Sequence, residues 1–518
     1  MSEPTRHPVI NGLRNALVRQ PGEVPKLVDL AITDGMISSI EAPGTLKNLE
    51  TLDADGDCLH PGFVDSHLHF SLGGKTLRQL DLSGVRSRDD FEAAIARRCA
   101  ELEPGAWLQA LGWNEANWPD GTMPEKSWLR AAGDRPTVCY RMDFHACVVN
   151  EPVLAMLEGA ACPPGGRINC DASGEPDGLM VESAAWHLVN PLVPELTPSE
   201  RLAAARAAAE HCARLGLVAV GSMEYPAELA EGIMPQRETL GLRFLVTLLE
   251  RTWPLDCTIA ERFPADAWLK VIGFKAFLDG TLGSRTAAML EPYTDQPEAG
   301  KGMLIELAEE GVLEPWIQAV HQHGYSPSMH AIGDRALRLA LDAADTLPAD
   351  ARERVRFEHA QTIHPDDLPR MRGRFASMQP LHKASDAVTA LERLGPGRMD
   401  RFFPFRTLLD AGARLAFGSD WPIVSCDPFE GIRAAVTGRD LEGRVHRAED
   451  TIPVEAAIAA YTTEARACLG AAGGSIAVGE PADLVLLDRD PVDVDWHAEE
   501  NPEVLATIVA GRIVHEQR

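Results

Sequence analysis

Apolar and polar positions divide the chain into two strand-like ends around a middle in which strand and helix patterns alternate. Near the N-terminus, Leu27-Val-Asp-Leu-Ala-Ile32 leads into Thr33-Asp-Gly35 and then Met36-Ile-Ser-Ser-Ile40, which predicts a hairpin. The C-terminus has the same texture. Gly479-Glu-Pro-Ala-Asp483 is a turn before Leu484-Val-Leu-Leu487, and Ala506-Thr-Ile-Val509 and Ile513-Val514 flank a turn at Gly511-Arg512. Such ends predict one small β-sandwich built from 1–60 and 470–518.

In the middle, short apolar runs begin at Gly62, Leu217, Arg243, Leu269, Ser326, Arg354, Phe375 and Arg414, with helical patterns between most of them. The clearest helix is Ser199 to Leu215. Thr197 is its N-cap, Pro198 takes the first position, Glu200 completes a capping box and Gly216 follows the end. Asp334 to Leu347 is another. Eight such alternations predict an α/β fold, a (β/α)8 TIM barrel over 61–72 and 198–469. One connection is far too long for a loop, about 150 residues between the first and second strands. Its centre, 73–197, holds five of the ten tryptophans, Trp107, Trp113, Trp118, Trp128 and Trp186. That composition predicts an insertion subdomain with its own core, serving also as a lid over the active site.

The stretch Pro61 to Phe70 adds chemistry to this outline. Gly62, Phe63 and Val64 read as a buried strand that ends in Asp65, Ser66, His67 and His69. Strand side chains alternate, so His67 and His69 share a face and can reach one metal ion; on a helix they would stand about 200° apart. His321 and His323 have the same spacing, but they end the amphipathic run Val312 to His323 before Gly324 and read as a helix C-terminus. Barrel strands deliver their C-terminal ends to one mouth. Those ends carry His67, His69, Lys275, His330, His359 and, just past the eighth strand, Asp420. Singly, each has a dull explanation: a hydrogen-bonded core histidine, a solvated lysine, a loop-capping aspartate. Together they predict a site for a first-row metal.

Bulk properties narrow the setting. The formal charge of −28 disfavours nucleic acid or an anionic membrane as partner. No run approaches the roughly 18 apolar residues of a membrane span, and the first residues lack the apolar core of a secretion signal. The ten cysteines are scattered without a Cys-x-x-Cys pair, so reduced thiols and a cytoplasmic location are expected.

At this point a resemblance becomes specific. Motifs shared with the amidohydrolase superfamily, family 3 branch, run in order along nearly the whole chain. They include Pro-Gly-Phe-Val-Asp-Ser-His-Leu-His (61–69), Gly-Trp-Asn-Glu (112–115), Gly-Glu-Pro-Asp-Gly (174–178) and Phe-Leu-Asp-Gly-Thr-Leu-Gly-Ser-Arg-Thr-Ala (277–287). Met-His-Ala-Ile-Gly-Asp-Arg-Ala (329–336), Glu-His-Ala-Gln (358–361), Ser-Met-Gln-Pro-Leu-His (377–382), Ala-Phe-Gly-Ser-Asp-Trp-Pro (416–422) and Gly-Glu-Pro-Ala-Asp-Leu-Val (479–485) follow. The chain resembles the N-substituted formamide deformylases of that branch. The resemblance implies metal ligands at His67, His69, Lys275, His330, His359 and Asp420, with Lys275 carboxylated to bridge two divalent ions, expected to be Zn2+. It also implies hydrolysis of a carbon–nitrogen bond other than a peptide bond, in an amide, formamide or related small molecule, by a metal-activated hydroxide. Asp420 would be the general base and then the general acid. Arg285, His145, His382 and Trp113 are the expected substrate-binding residues, and a homodimer is an allowed assembly. Two departures bear on substrate preference: Ser222-Met-Glu224 stands where relatives often show His-Asp, and Met142-Asp-Phe-His145 replaces the more usual Asp-Gly-His. The alternatives are deamination of a nitrogen heterocycle on the same scaffold, often with one metal, or a non-catalytic scaffold paralogue. Lys275 and the complete set of ligand positions weigh against both.

Overall fold

The computed structural model describes residues 7–19, 24–46, 50–115, 118–119, 121–142, 144, 146–163, 166–498 and 500–517. The chain divides into two compact units, one comprising 1–71 with 208–518 and the other 72–207.

In the first unit, eight parallel strands pair in sequence order: Phe63–Leu68, Leu217–Glu224, Arg243–Leu248, Leu269–Phe277, Ser326–Ala331, Arg356–His359, Phe375–Met378 and Arg414–Phe417. Parallel strands covered on both faces need continuous rather than alternating burial, and Leu217–Glu224 is buried at every position. The register lays Phe277, His330, Glu358 and Ser377 in one row across the fourth to seventh strands, with Lys275, Ser328, Arg356 and Phe375 two residues below. No ladder joins the eighth strand to the first among the described residues. The gap is bridged past the strand ends instead: the His67 carbonyl accepts from Ser419 N–H (3.2 Å) and Asp420 N–H (2.6 Å), and His69 N–H donates to the Trp421 carbonyl (2.8 Å). Gly418 allows this approach, since a Cβ there would lie 2.5 Å from the His67 nitrogen.

The helices follow their apolar periodicity. Asp334–Asp345 buries Ala336, Leu337, Ala340, Leu341 and Ala344, the spacing of one helical face. Leu313–Gln322 ends beside His323, whose Nδ1 lies 2.8 Å from the Ala319 carbonyl, so His321 and His323 occupy the helix C-terminus that their pattern predicts.

The two ends of the chain come together in one sheet. Strands Gly12–Val18, Lys26–Thr33, Met36–Glu41, Thr51–Asp53, Cys58–Pro61, Leu484–Leu487, Val504–Val509 and Arg512–Glu516 form one ladder-connected sheet around Leu13, Leu30, Leu484, Leu486 and Ile508. The predicted hairpin closes at Asp34 and Gly35, both at positive φ, as a tight two-residue turn requires.

The second unit is built on a six-stranded sheet whose order runs Gly166–Cys170, Pro176–Glu182, Ala146–Val149, Thr137–Arg141, Leu108–Trp113 and Leu80–Asp81. Helix Arg88–Glu101, capped by Ser87, contributes Phe91 to a core shared with Trp113, Trp118 and Trp128. The rings pack directly, with centroids 5.6 Å apart for Phe91 and Trp128 and 5.5 Å for Trp118 and Trp128. Trp113 corrects the expectation drawn from the sequence. It is fully buried and its indole N–H donates to the Cys139 carbonyl at 2.8 Å, which leaves no surface for a substrate. Helix Pro198–Arg214 carries the predicted capping box: Glu200 accepts from Thr197 N–H (2.8 Å) and Thr197 Oγ1 from Glu200 N–H (3.3 Å).

Trp113→Ala should therefore act on stability, with a loss of about 3–5 kcal/mol in the unfolding of this unit. Denaturant titration followed by tryptophan fluorescence would measure it. A transition unchanged within about 0.5 kcal/mol would contradict the core assignment.

Candidate metal centre

The first strand sets the geometry. His67 and His69 stand on one face at its end, and their Nε2 atoms lie 3.4 and 3.1 Å from Asp420 Oδ1. Ligand atoms of these three residues all fall within 4.8 Å of one another. Lys275, 1% exposed, brings Nζ to 3.5 Å from His67 Nε2. The rings of His67 and His359 are 5.0 Å apart and those of His330 and His359 4.6 Å apart. All six sequence-predicted ligands thus gather at the C-terminal ends of the barrel strands.

The surroundings determine which nitrogen each imidazole offers. His67 Nδ1 meets the buried Glu358 carboxylate at 2.6 Å, and His359 Nδ1 meets Gln379 Oε1 at 2.9 Å. An acceptor on Nδ1 holds the ring proton there and leaves the Nε2 lone pair for a metal. His330 is reversed: its Nε2 lies 3.2 Å from the Gly280 carbonyl, so Nδ1 is its donor atom. Asp279 holds that loop in place by accepting from Ala288, Ile332 and Gly333 amides at 2.7–3.0 Å.

Glu358 is fixed in turn. Arg356 Nη2 lies 3.0 Å from its Oε1, Ser328 Oγ donates to that oxygen at 2.7 Å, and Arg356 reaches across to the Ser66 carbonyl at 2.6 Å. Strand alternation therefore aims Arg356 and Glu358 into the barrel and would send His359 outward. A positive φ of 67° at His359 breaks the alternation and turns its ring back to the site.

Electrostatics complete a donor set suited to a cation. Burial, aided by Lys275, pushes His330 down to about 3, and burial and His330 hold His359 well below the usual imidazole range. Both rings are neutral at physiological pH. Burial alone would raise Asp420, but the His67 and His69 imidazoles beside it hold its carboxyl well below the usual range. Burial lowers Lys275 to about 8, against the opposing pull of Glu358 and Asp420. Neutral imidazoles, an ionised carboxylate and an amine near its neutral form fit divalent-metal coordination.

The remaining sequence candidates separate. His382 joins the cluster: its Nε2 is 3.8 Å from Asp420 Oδ2, buried, and without a hydrogen-bond partner among the described residues. Arg285 instead pairs with Asp295 at 2.6 Å, in an ion pair that Arg393 also joins. Trp113 lies in the core of the second unit. His145 falls outside the described residues. Glu358, Gln379 and Asp279 are the supporting residues that the sequence pattern did not single out. All three sit inside quoted motifs, and for Glu358 an acidic residue next to a strand-end histidine was the available signal.

Residues 50–515 match the profile of the Amidohydrolase family. The Arabidopsis thaliana protein LONG AFTER FAR-RED 3 is 30% identical over 524 residues, covering 94% of this chain and 88% of that protein. The N-substituted formamide deformylase of Arthrobacter pascens is 26% identical over 498 residues, covering 90% of each. Among solved structures, an uncharacterized metal-dependent hydrolase from Pyrococcus horikoshii OT3 superposes with a TM-score of 0.77 at 26% identity, covering 95% of this chain and all of that one.

The buried neutral His330 predicts a pH dependence. Its folded value of about 3 lies below the unfolded value of 6.5, so the unfolded chain binds more protons between them. The corresponding stability is complete above about pH 6.5 and is lost progressively as pH falls toward 3. Thermal unfolding of metal-free protein at pH 7 and pH 5 should show a smaller difference for His330→Asn than for wild type. Equal differences would mean that His330 is not held neutral by the fold.

Proposed function

The chain belongs to the amidohydrolase family, and from that premise we propose that it is a metal-dependent hydrolase that cleaves a carbon–nitrogen bond in an amide, formamide or related small molecule. The observation that carries this reading is the convergence of four imidazoles, Lys275 and Asp420 at the barrel's C-terminal rim. The likeness to an N-substituted formamide deformylase supports the choice of bond. Buried among the histidines, Lys275 favours a site for two divalent ions, Zn2+ by its imidazole-rich donors, over the single-metal deaminase alternative. Its amine, brought near neutrality by burial, is suited to carboxylation and would then bridge the two ions.

His67, His69 and Asp420 would hold one ion, and His330 and His359 the other. Bound there, the ions would acidify a water molecule and polarise the carbonyl of the scissile bond. The chain's own residues supply proton handling. Asp420, held ionised by the imidazoles beside it, can accept the proton of the attacking water and deliver it to the departing nitrogen. His382, with its unpartnered Nε2 beside Asp420 Oδ2, is placed to hydrogen-bond the substrate at the same point.

Lys275→Ala should lose metal and activity together, and a small carboxylic acid in the buffer should restore part of both. Asp420→Asn should keep most of its metal while kcat falls by at least about a hundredfold. The assay is a screen of zinc-loaded protein against N-formyl amines, acyl-amino acids and cyclic ureides, with metal content measured alongside. A metal-loaded Asp420→Asn protein with near-normal kcat would remove Asp420 from proton transfer. A fully active wild type holding one ion per chain would reject the bridge.

A further inference from the structure

Among the four histidines, His69 differs in its support. His67, His330 and His359 each have a protein acceptor on the ring nitrogen turned away from the site. No such partner occupies His69 Nδ1 among the described residues, and its side chain is 21% exposed, whereas that of His67 is fully buried. What lies beside it is the end of the second barrel strand, Leu217–Glu224, where Ser222 is fully buried and Glu224 is 2% exposed. Ser222 Oγ accepts from Phe70 N–H at 3.3 Å and donates to Glu224 Oε1. The same Glu224 oxygen accepts from Ser71 N–H at 3.1 Å. With His69 N–H on the Trp421 carbonyl, three consecutive amides, 69 to 71, are pinned by strand ends on either side of the first strand. Burial raises the Glu224 carboxyl above the usual carboxylate range, while the hydrogen bonds from Ser222 and Ser71, and the His69 imidazole nearby, oppose that rise and favour its ionised form.

We propose that Glu224 is the positioning residue of His69. With Ser222 it fixes the two amides that follow His69, and its negative charge orients the imidazole and strengthens it as a donor to a divalent ion. The inference rests on the metal-centre reading above. An anion close to a ligating histidine raises the basicity of the ring and restricts its rotation, which is the role Glu358 has toward His67. The duller reading is that Glu224 only caps the short helix Phe70–Thr76. The two differ in one respect. A cap needs an oxygen acceptor, which glutamine keeps, whereas positioning by charge needs the carboxylate.

Zn2+ affinity, measured by competition with a chromogenic chelator, tests this on wild type, Glu224→Gln, His69→Ala and the double variant. Thermal unfolding of each metal-free protein is recorded alongside. Glu224→Gln should bind Zn2+ about 10–100-fold more weakly with an unchanged metal-free Tm, and should add no loss in the His69→Ala background. Affinity equal to wild type, or the same loss with and without His69, overturns the inference. Ser222→Ala provides a second route should Glu224→Gln fold poorly. It removes one bridge and should cost about 2–10-fold in affinity, again only when His69 is present. An undiminished affinity in Ser222→Ala would count equally against the inference. A wild type that binds no Zn2+ overturns the metal centre itself, and this inference falls with it. Tight wild-type binding that Glu224→Gln leaves untouched refutes the role of Glu224 alone.

Discussion

The His67 carbonyl is the point on which barrel and site both depend. A parallel sheet of eight strands must close or leave two edges, and here the last ladder stops at Arg414–Phe417. Closure passes to the residues just beyond, where His67 accepts two amides from the loop that carries Asp420. Asp65 strengthens the seam by accepting from Ser419 N–H at 3.1 Å, Ser419 Oγ at 2.6 Å and His67 N–H at 2.9 Å. The bonds that close the barrel are therefore the bonds that bring the Asp420 carboxylate to His67 and His69. Gly418 is confined to glycine by the same seam, because any side chain there would force the first and eighth strands apart.

Burying so many ionisable groups is costly, and the arrangement shows how the cost is offset. Arg356 and Glu358 are both essentially inaccessible, and they lie on one strand, two residues apart. A buried pair of this kind contributes little net stability, since desolvation consumes most of the attraction. Its value lies in orientation. The chain from Ser66 through Arg356 and Glu358 to His67 links the sixth strand to the first across the barrel, and each member leaves the next a single sensible proton position. His330 and His359 are held neutral by burial, so in the metal-free protein their repulsion with Lys275 is small.

Much of this was legible in the residues. The period of two between His67 and His69 gave their shared face, and the placement of histidines, lysine and aspartate at successive strand ends gave the rim. Eight apolar runs gave the strands to within about two residues at most ends. Other features depend on partners distant in sequence. Asp295, which takes Arg285, is ten positions away in a loop with no periodicity to place it. The tryptophans of the insertion were read as both core and lid; the ring contacts assign Trp113, Trp118 and Trp128 to the core. His330 offers Nδ1 rather than Nε2 because Gly280, fifty residues earlier, folds back onto its ring, and nothing local to His330 signals that.

Two of the places where local backbone rules fail lie in the site itself. His359 and Asp420 both have positive φ, at 67° and 60°, although neither is glycine. Such a backbone costs on the order of 1 kcal/mol or more per residue and persists only where neighbours over-determine it. For His359 the determinants are pairing with Ala331 and the Gln379 contact; for Asp420 they are the His67 carbonyl and two imidazoles. In each case the turn re-aims a side chain that regular strand geometry would direct elsewhere. Asparagine and aspartate tolerate this conformation better than most residues, so Asp420 occupies a position that few residue types could fill even without a metal to bind. The conformational and chemical requirements at that position select the same side chain.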